Sequence, residues 1–336
     1  MKRVVPVVIL ALTCVVVFGV ISAAAQDPPV WAYGPFAEPA GPAPAPGAAP
    51  AAAPAPPPDD GKLIRMSDTS QAFTMTQIRQ RGALNWYPED QPPLPEVVAR
   101  GREPGVRACG TCHLAGGKGR PENAALTGLP AGYFMQQIAD FKSGLRKSAE
   151  PKKFNTNFMV DIAKAMSDEE IKVAAEHYAA TKWTPWIKVV ESATVPKTRS
   201  QGGLWAPAPG GETEPLGQRI IETPVDTERT LVYRDSRSGF VAYVPAGSIK
   251  KGQALVNTGG GGKTTACTVC HGEKLNGLGP VPGVAGHSPT YLFRQMYDIK
   301  AGTRKGPWAE LMKPAVARLS DEEMIAIAAY VASLAP

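Results

Sequence analysis

The sequence predicts an all-α protein of two tandem helical units, joined by an irregular, partly hairpin-like connector and preceded by a disordered Pro/Ala-rich tether. Three observations predict it. The pattern Cys-x-x-Cys-His occurs twice, as Cys109-Gly110-Thr111-Cys112-His113 and Cys267-Thr268-Val269-Cys270-His271, 158 residues apart. At that offset Gly128, Tyr133 and Gln137 meet Gly286, Tyr291 and Gln295, and Asp140, Lys142, Gly144, Arg146 and Lys147 meet Asp298, Lys300, Gly302, Arg304 and Lys305. The second copy then loses five residues, and the register resumes with Met159 on Met312 and Ser167-Asp168-Glu169-Glu170 on Ser320-Asp321-Glu322-Glu323. Within each copy the apolar residues keep helical spacing.

Lys2 and Arg3 precede an apolar run over residues 4–20 and the small residues Ser22-Ala23-Ala24-Ala25, the pattern of a secretory signal over residues 1–25. The alternative is an uncleaved membrane tether, since the run is close to a bilayer span. Cys14 lies in this run and lacks the small residue of a lipoprotein box before it. Residues 26–60 are Pro/Ala-dominated and expected to be extended and semi-rigid. Inside them, Trp31-Ala32-Tyr33-Gly34-Pro35-Phe36 is either a linear motif for a partner or simply the end of the signal region.

Residues 61–185 are expected to form the first unit, with residues 63–95 wrapping it; short β-branched and aromatic stretches such as Ala72-Phe73-Thr74-Met75-Thr76 occur in this wrap. Short helices are expected at 96–101 and 249–255. Phe134, Ile138 and Phe141, like Leu292, Met296 and Ile299, mark one buried helix face. Ser167 and Ser320 open the last helices through Ser-x-x-Glu capping boxes, and Met324, Ile327, Val331 and Leu334 form an apolar stripe. Residues 186–247 form the connector, where Thr230-Leu231-Val232-Tyr233 and Phe240-Val241-Ala242-Tyr243-Val244 read as paired strands. Residues 248–336 form the second unit.

Two thiols three residues apart can form thioethers to the two vinyl groups of one porphyrin, and the adjacent histidine can return to the iron. A single such string also suits a thioredoxin-like redox pair; twin copies in an exported chain point to two covalently bound haem c groups, held by Cys109, Cys112 and His113 and by Cys267, Cys270 and His271. The net charge of +6 says little about partners, and nothing calls for a nucleic acid. Lys142, Arg146, Lys147, Lys152 and Lys153, with Arg294, Lys300, Arg304, Lys305 and Lys313, are either solvated faces or a surface steering an acidic redox partner.

These elements resemble the class I cytochromes c, and the tandem arrangement resembles the dihaem cytochromes c4. The likeness covers residues 96–182 and 249–336: the haem motif, a Tyr-led helix ending in Gly-x-Arg, a methionine, and Ser-Asp-Glu-Glu opening the final helix. The second unit keeps the family's Pro-x-Val-x-Gly run as Pro282-Gly283-Val284-Ala285-Gly286, whereas Ala124 stands at the proline's place in the first. The resemblance implies Met159 and Met312 as sixth iron ligands, each seven residues before the residue that precedes the Ser-Asp cap; the competing reading is core packing, which suits Met135, Met166, Met296 and Met324. His177 is expected to be packed or at the surface, and His287 solvated or beside a propionate. Tyr133, Tyr291, Arg146, Arg304, Trp308 and Trp86 are candidates for propionate contact.

With His/Met ligation the irons have no open position, which implies an electron-transfer protein and not an enzyme. The expected role is periplasmic, between a donor dehydrogenase or quinol-oxidising cytochrome complex and a terminal oxidase or reductase. The alternative is the electron-transfer subunit of a quinoprotein-type dehydrogenase complex. A dihaem peroxidase would need one haem that can open.

Overall fold

The structure is a computed structural model that describes residues 27–34, 60–80 and 82–336. The signal segment and most of the Pro/Ala tether lie outside the described residues. The first element among the described residues, α1 (Val30–Tyr33), is one helical turn.

The segment ahead of the first repeat has its own small core. β1 (Ile64–Arg65) pairs antiparallel with β2 (Ala72–Phe73). The strand stops at Phe73 because Thr74 caps α2 (Met75–Arg79), its hydroxyl accepting from Gln77 N while the Gln77 side chain accepts from Thr74 N. Ile78, Leu84, Trp86 and Tyr87 pack together, and Trp86 Nε1 donates to the Tyr233 carbonyl of the connector at 2.7 Å.

The first repeat follows as α3 (Glu96–Ala99), a ribbon of β3 (Gly101–Arg102) and β4 (Val106–Arg107), then α4 (Cys109–His113), α5 (Ala131–Lys142), α6 (Phe154–Ala165) and α7 (Asp168–Ala180). Phe134, Ile138 and Phe141 are buried as their spacing requires, against Val98, Ile162, Ala174 and Tyr178. Ser167 caps α7 reciprocally with Glu170, whose carboxylate also takes two hydrogen bonds from Arg102.

The connector overturns the all-α expectation. It comprises β5 (Ile187–Glu191), β6 (Thr194–Pro196), β7 (Thr198–Gln201), β8 (Leu204–Pro207), β9 (Thr213–Pro215), β10 (Ile221–Pro224), α8 (Thr227–Leu231) and β11 (Phe240–Val244). β11 is central to a three-stranded sheet, antiparallel to β10 and parallel to β5; β6 pairs with β9 and β7 with β8. Thr230 and Leu231 belong to a helix because Asp226 accepts from Arg229 N at 2.9 Å and caps it. The hairpin expected between 230–233 and 240–244 is therefore absent, and Phe240, Ala242 and Val244 bury one face of β11 against other partners.

The second repeat comprises α9 (Ser248–Thr258), α10 (Thr268–His271), α11 (Pro289–Lys300), α12 (Pro307–Val316) and α13 (Asp321–Ser333). Nearly every residue of α13 from Met324 to Ala332 is buried, because α9 crosses it at Gly252 and the connector sheet lies beside it. A Cβ at Gly252 would collide with the Ala326 carbonyl. From β10, Glu222 accepts from Ser288 Oγ at 2.7 Å and Thr290 N at 2.8 Å and so caps α11 across the fold.

The two repeats meet through the loops after their middle helices. Lys147 N donates to Thr303 O at 3.0 Å and Lys305 N donates to Leu145 O at 2.6 Å, bracketing an antiparallel bridge between Arg146 and Arg304. The two copies thus exchange equivalent contacts.

Candidate haem site

Each Cys-x-x-Cys-His forms a short helix whose histidine is buried. His113 Nδ1 bonds the Ala124 carbonyl at 2.8 Å, and His271 Nδ1 bonds the Pro282 carbonyl at 2.8 Å. The first copy keeps the orienting carbonyl without the proline, because a shared turn presents it. Gly119 N donates to His113 O and Gly277 N to His271 O, both at 2.9 Å, with φ of 70° and 94°. A Cβ at Gly119 would stand 2.5 Å from Ala124 O, and one at Gly277 2.8 Å from Val281 O. This glycine pair also stands at the 158-residue offset and was a signal the motif reading passed over.

With Nδ1 occupied, only Nε2 of each ring is left to meet an iron. Burial lowers both imidazoles below their ordinary range, so they are neutral at neutral pH. Burial also pushes the Cys109 thiol up to about 12 and the Cys267 thiol up to about 11. Cys109, Cys112, Cys267 and Cys270 form no disulfide.

Cys109, Cys112, His113 and Met159, together with Cys267, Cys270, His271 and Met312, line one continuous cavity with about 400 Å³ of water-accessible space. Met159 comes from α6 and Met312 from α12, each packed at the edge of its unit's core. Its walls include Phe134, Ile138 and Phe141 of α5 and Leu292, Met296 and Ile299 of α11, the two apolar faces expected from spacing.

Between the two halves stand two cations without a carboxylate. Arg304 donates to Tyr133 Oη at 2.7 Å, Gln137 Oε1 at 2.8 Å and Gln295 Oε1 at 2.8 Å. Arg146 donates to Gln137 Oε1 at 3.0 Å, Gln295 Oε1 at 3.2 Å and Tyr291 Oη at 3.4 Å. Neither makes an ion pair among the described residues, and Arg304 Nε is buried without a partner. Guanidinium groups so placed suit anions held in the cavity. Trp308 is on the wall and meets Tyr133 edge-on at 6.1 Å, whereas Trp86 is sealed in the small N-terminal core and leaves the set of candidates.

The basic clusters are only partly a surface. Lys147, Lys152, Lys300, Lys305 and Lys313 are exposed, but Lys153, Arg294 and Arg304 are buried. Lys142 reaches the carbonyl of Met166, and Lys300, though exposed, reaches that of Leu319. His177 is packed, with Nε2 3.3 Å from the Ala115 carbonyl. Of the two places expected for His287, solvent is excluded: it is buried on the cavity wall and stacks on Trp183 at 4.4 Å, and burial pushes it down to about 4.

The cytochrome c family profile matches residues 249–335. Cytochrome c-554(548) of Halomonas halodenitrificans is 43% identical over 72 residues, 21% of this chain and 87% of that protein. The chain belongs to the class I c-type cytochromes. Cytochrome c4 of Azotobacter vinelandii is 37% identical over 84 residues, 23% of this chain and 40% of that protein, and family membership implies covalently attached haem c. The free thiols, the imidazoles tied at Nδ1, the apolar walls and the unpaired arginines of this cytochrome all suit that group. The thiosulfate dehydrogenase electron acceptor of Stutzerimonas stutzeri is 27% identical over 237 residues, 70% of this cytochrome and 82% of that protein. Among solved structures, a thiosulfate dehydrogenase from Marichromatium purpuratum superposes with a TM-score of 0.46 at 24% identity, over 70% of this cytochrome and 38% of that chain.

Proposed function

We propose that this cytochrome binds two haem c groups and carries electrons in the periplasm between a donor dehydrogenase or quinol-oxidising complex and a terminal oxidase or reductase. The observation that carries the reading is the duplicated site, four free thiols, two oriented imidazoles and two methionines on the walls of one cavity. Haem c supplies a one-electron iron centre when bound. Cys109 and Cys112 would hold one group and Cys267 and Cys270 the other. His113 and His271 would ligate through Nε2, each ring fixed by its carbonyl, and Met159 and Met312 would each supply a further ligand. A thioether ligand favours the reduced, less charged iron, and burial among apolar side chains acts in the same direction. Arg146 and Arg304 would hold the propionates.

A second reading is favoured by a relative that matches 70% of the chain, an electron acceptor of a thiosulfate dehydrogenase. On this reading the cytochrome serves one dehydrogenase as its dedicated acceptor. Intact-mass analysis of the exported protein, with near-infrared spectroscopy of the oxidised form, tests the first proposal: two haem masses per chain and a methionine-to-ferric-iron band are expected. One haem mass, or a high-spin resting iron, overturns it. Reduction by purified thiosulfate dehydrogenase and by unrelated donors separates dedicated acceptor from general carrier.

A further inference from the structure

The cavity, the buried histidines and the inter-unit arginines all belong to the haem site. One feature outside it is the aromatic turn α1, which lies between two stretches outside the described residues, 1–26 and 35–59. We infer that residues 30–34 are a strap acting within the chain, which docks on one face of α11 and holds the two haem units in a fixed relation.

The strap touches three parts of the molecule. On the second unit, Trp31 packs on Phe293 at 4.7 Å and Tyr33 meets Tyr297 edge-on at 5.9 Å. Tyr33 Oη donates to Asp298 Oδ1 at 2.7 Å, and Arg294 Nη1 donates to the Ala32 carbonyl at 2.9 Å. On the first unit, Lys153 Nζ donates to the Tyr33 carbonyl at 3.3 Å. On the connector, Trp205 Nε1 donates to the Trp31 carbonyl at 3.2 Å. All three backbone carbonyls of Trp31, Ala32 and Tyr33 are thereby used, each by a different part of the fold.

Its two main anchors on α11 also bind the first unit directly. Arg294 Nη2 donates to the Pro121 carbonyl at 2.6 Å, and Asp298 Oδ1 accepts from Ala149 N at 2.8 Å. Ala149 and Lys153 lie in the stretch where the first repeat is five residues longer than the second. The extra loop is thus used to reach the strap and its receptor. Ala32 and Tyr33 are buried, so the strap closes the seam between the units.

The repeat supplies an internal control. At the 158-residue offset Phe293, Arg294 and Tyr297 correspond to Met135, Gln136 and Ala139 on α5. Phe293 is 0% exposed beneath the strap, whereas Met135 is 39% exposed. Of the four α11 positions the strap contacts, three differ between the copies and only Asp298 is matched, by Asp140, so the full receptor is particular to the second unit. Electron exchange between two centres falls steeply with separation, so a strap that limits opening of the seam keeps the exchange fast.

The redox part of this inference rests on the dihaem reading; the docking part does not. The test compares holoprotein with Trp31→Ala/Tyr33→Ala, with Tyr33→Phe, and with Met135→Ala as control. Cleavage between the units under limiting protease is expected to rise about tenfold in the double variant, less in Tyr33→Phe, and not in Met135→Ala, because proteolysis follows the open population. A synthetic peptide of residues 27–34 added to the double variant is expected to restore protection. Haem mass is measured on each variant, and inter-haem exchange is followed on those carrying two haems, with slowing expected in the double variant. Unchanged cleavage in the double variant, or an equal rise in Met135→Ala, overturns the strap whatever the haem content. Raised cleavage with unchanged exchange overturns its effect on electron transfer.

Discussion

At the scale of single residues, the candidate site depends on which atom each side chain has left to offer. His113 and His271 have committed Nδ1 to a carbonyl, which leaves one nitrogen for iron. Replacing Met312 with His should lower the reduction potential of one haem and remove its near-infrared band, since imidazole stabilises ferric iron relative to thioether. An unchanged potential in a redox titration would mean that another residue is the ligand. Arg304→Gln should also lower a potential, because a buried cation beside the cavity disfavours the ferric charge. Spacing pointed to the cysteines and histidines, and the resemblance to the class I cytochromes to the methionines; the fold places all of them on the walls of one cavity. That Arg146 and Arg304 are held by glutamines and tyrosines and not by a carboxylate was not legible in the sequence, because that environment arises only when two loops distant in the chain meet.

Among the elements, the helices followed their signals closely. Both capping boxes form, and the faces given by i, i+4, i+7 spacing are buried. Glu170 is held at about 2, first by its hydrogen bond from Arg102 and then by its capping bonds. A folded value below the ordinary 4.5 means stability that is present above pH 4.5 and lost as pH falls through 2. Glu170→Gln, which keeps the capping geometry, should therefore lower stability by about 1 kcal/mol at most at pH 7, with the deficit vanishing toward pH 2 in denaturant titrations. Gly252→Val should cost about 3 kcal/mol in the same assay, since its side chain has no room between α9 and α13. The strands were harder to read. Residues 230–233 carry β-branched and aromatic side chains, yet an aspartate cap makes their first half helical, and β11 finds partners in β10 and β5 instead.

For the whole molecule, the connector and strap join what the repeat alone would leave as two beads. Replacing Cys267 with Ser should abolish one haem mass and unfold the second unit, because the cavity wall and that unit's core share Met296, Ile299, Ile327 and Val331. Loss of helicity by circular dichroism, with the other haem retained, is the expected result. The sequence by itself determined the duplication, the twin Cys-x-x-Cys-His spacing, the order of helices and the register between copies, because these are written in spacing along the chain. Tertiary structure alone decided that Trp31 and Tyr33 turn inward, that His287 is buried, that the connector forms a sheet, and that the two units exchange arginine contacts. Those outcomes depend on which surfaces lie opposite one another across hundreds of residues, and local pattern carries no record of that.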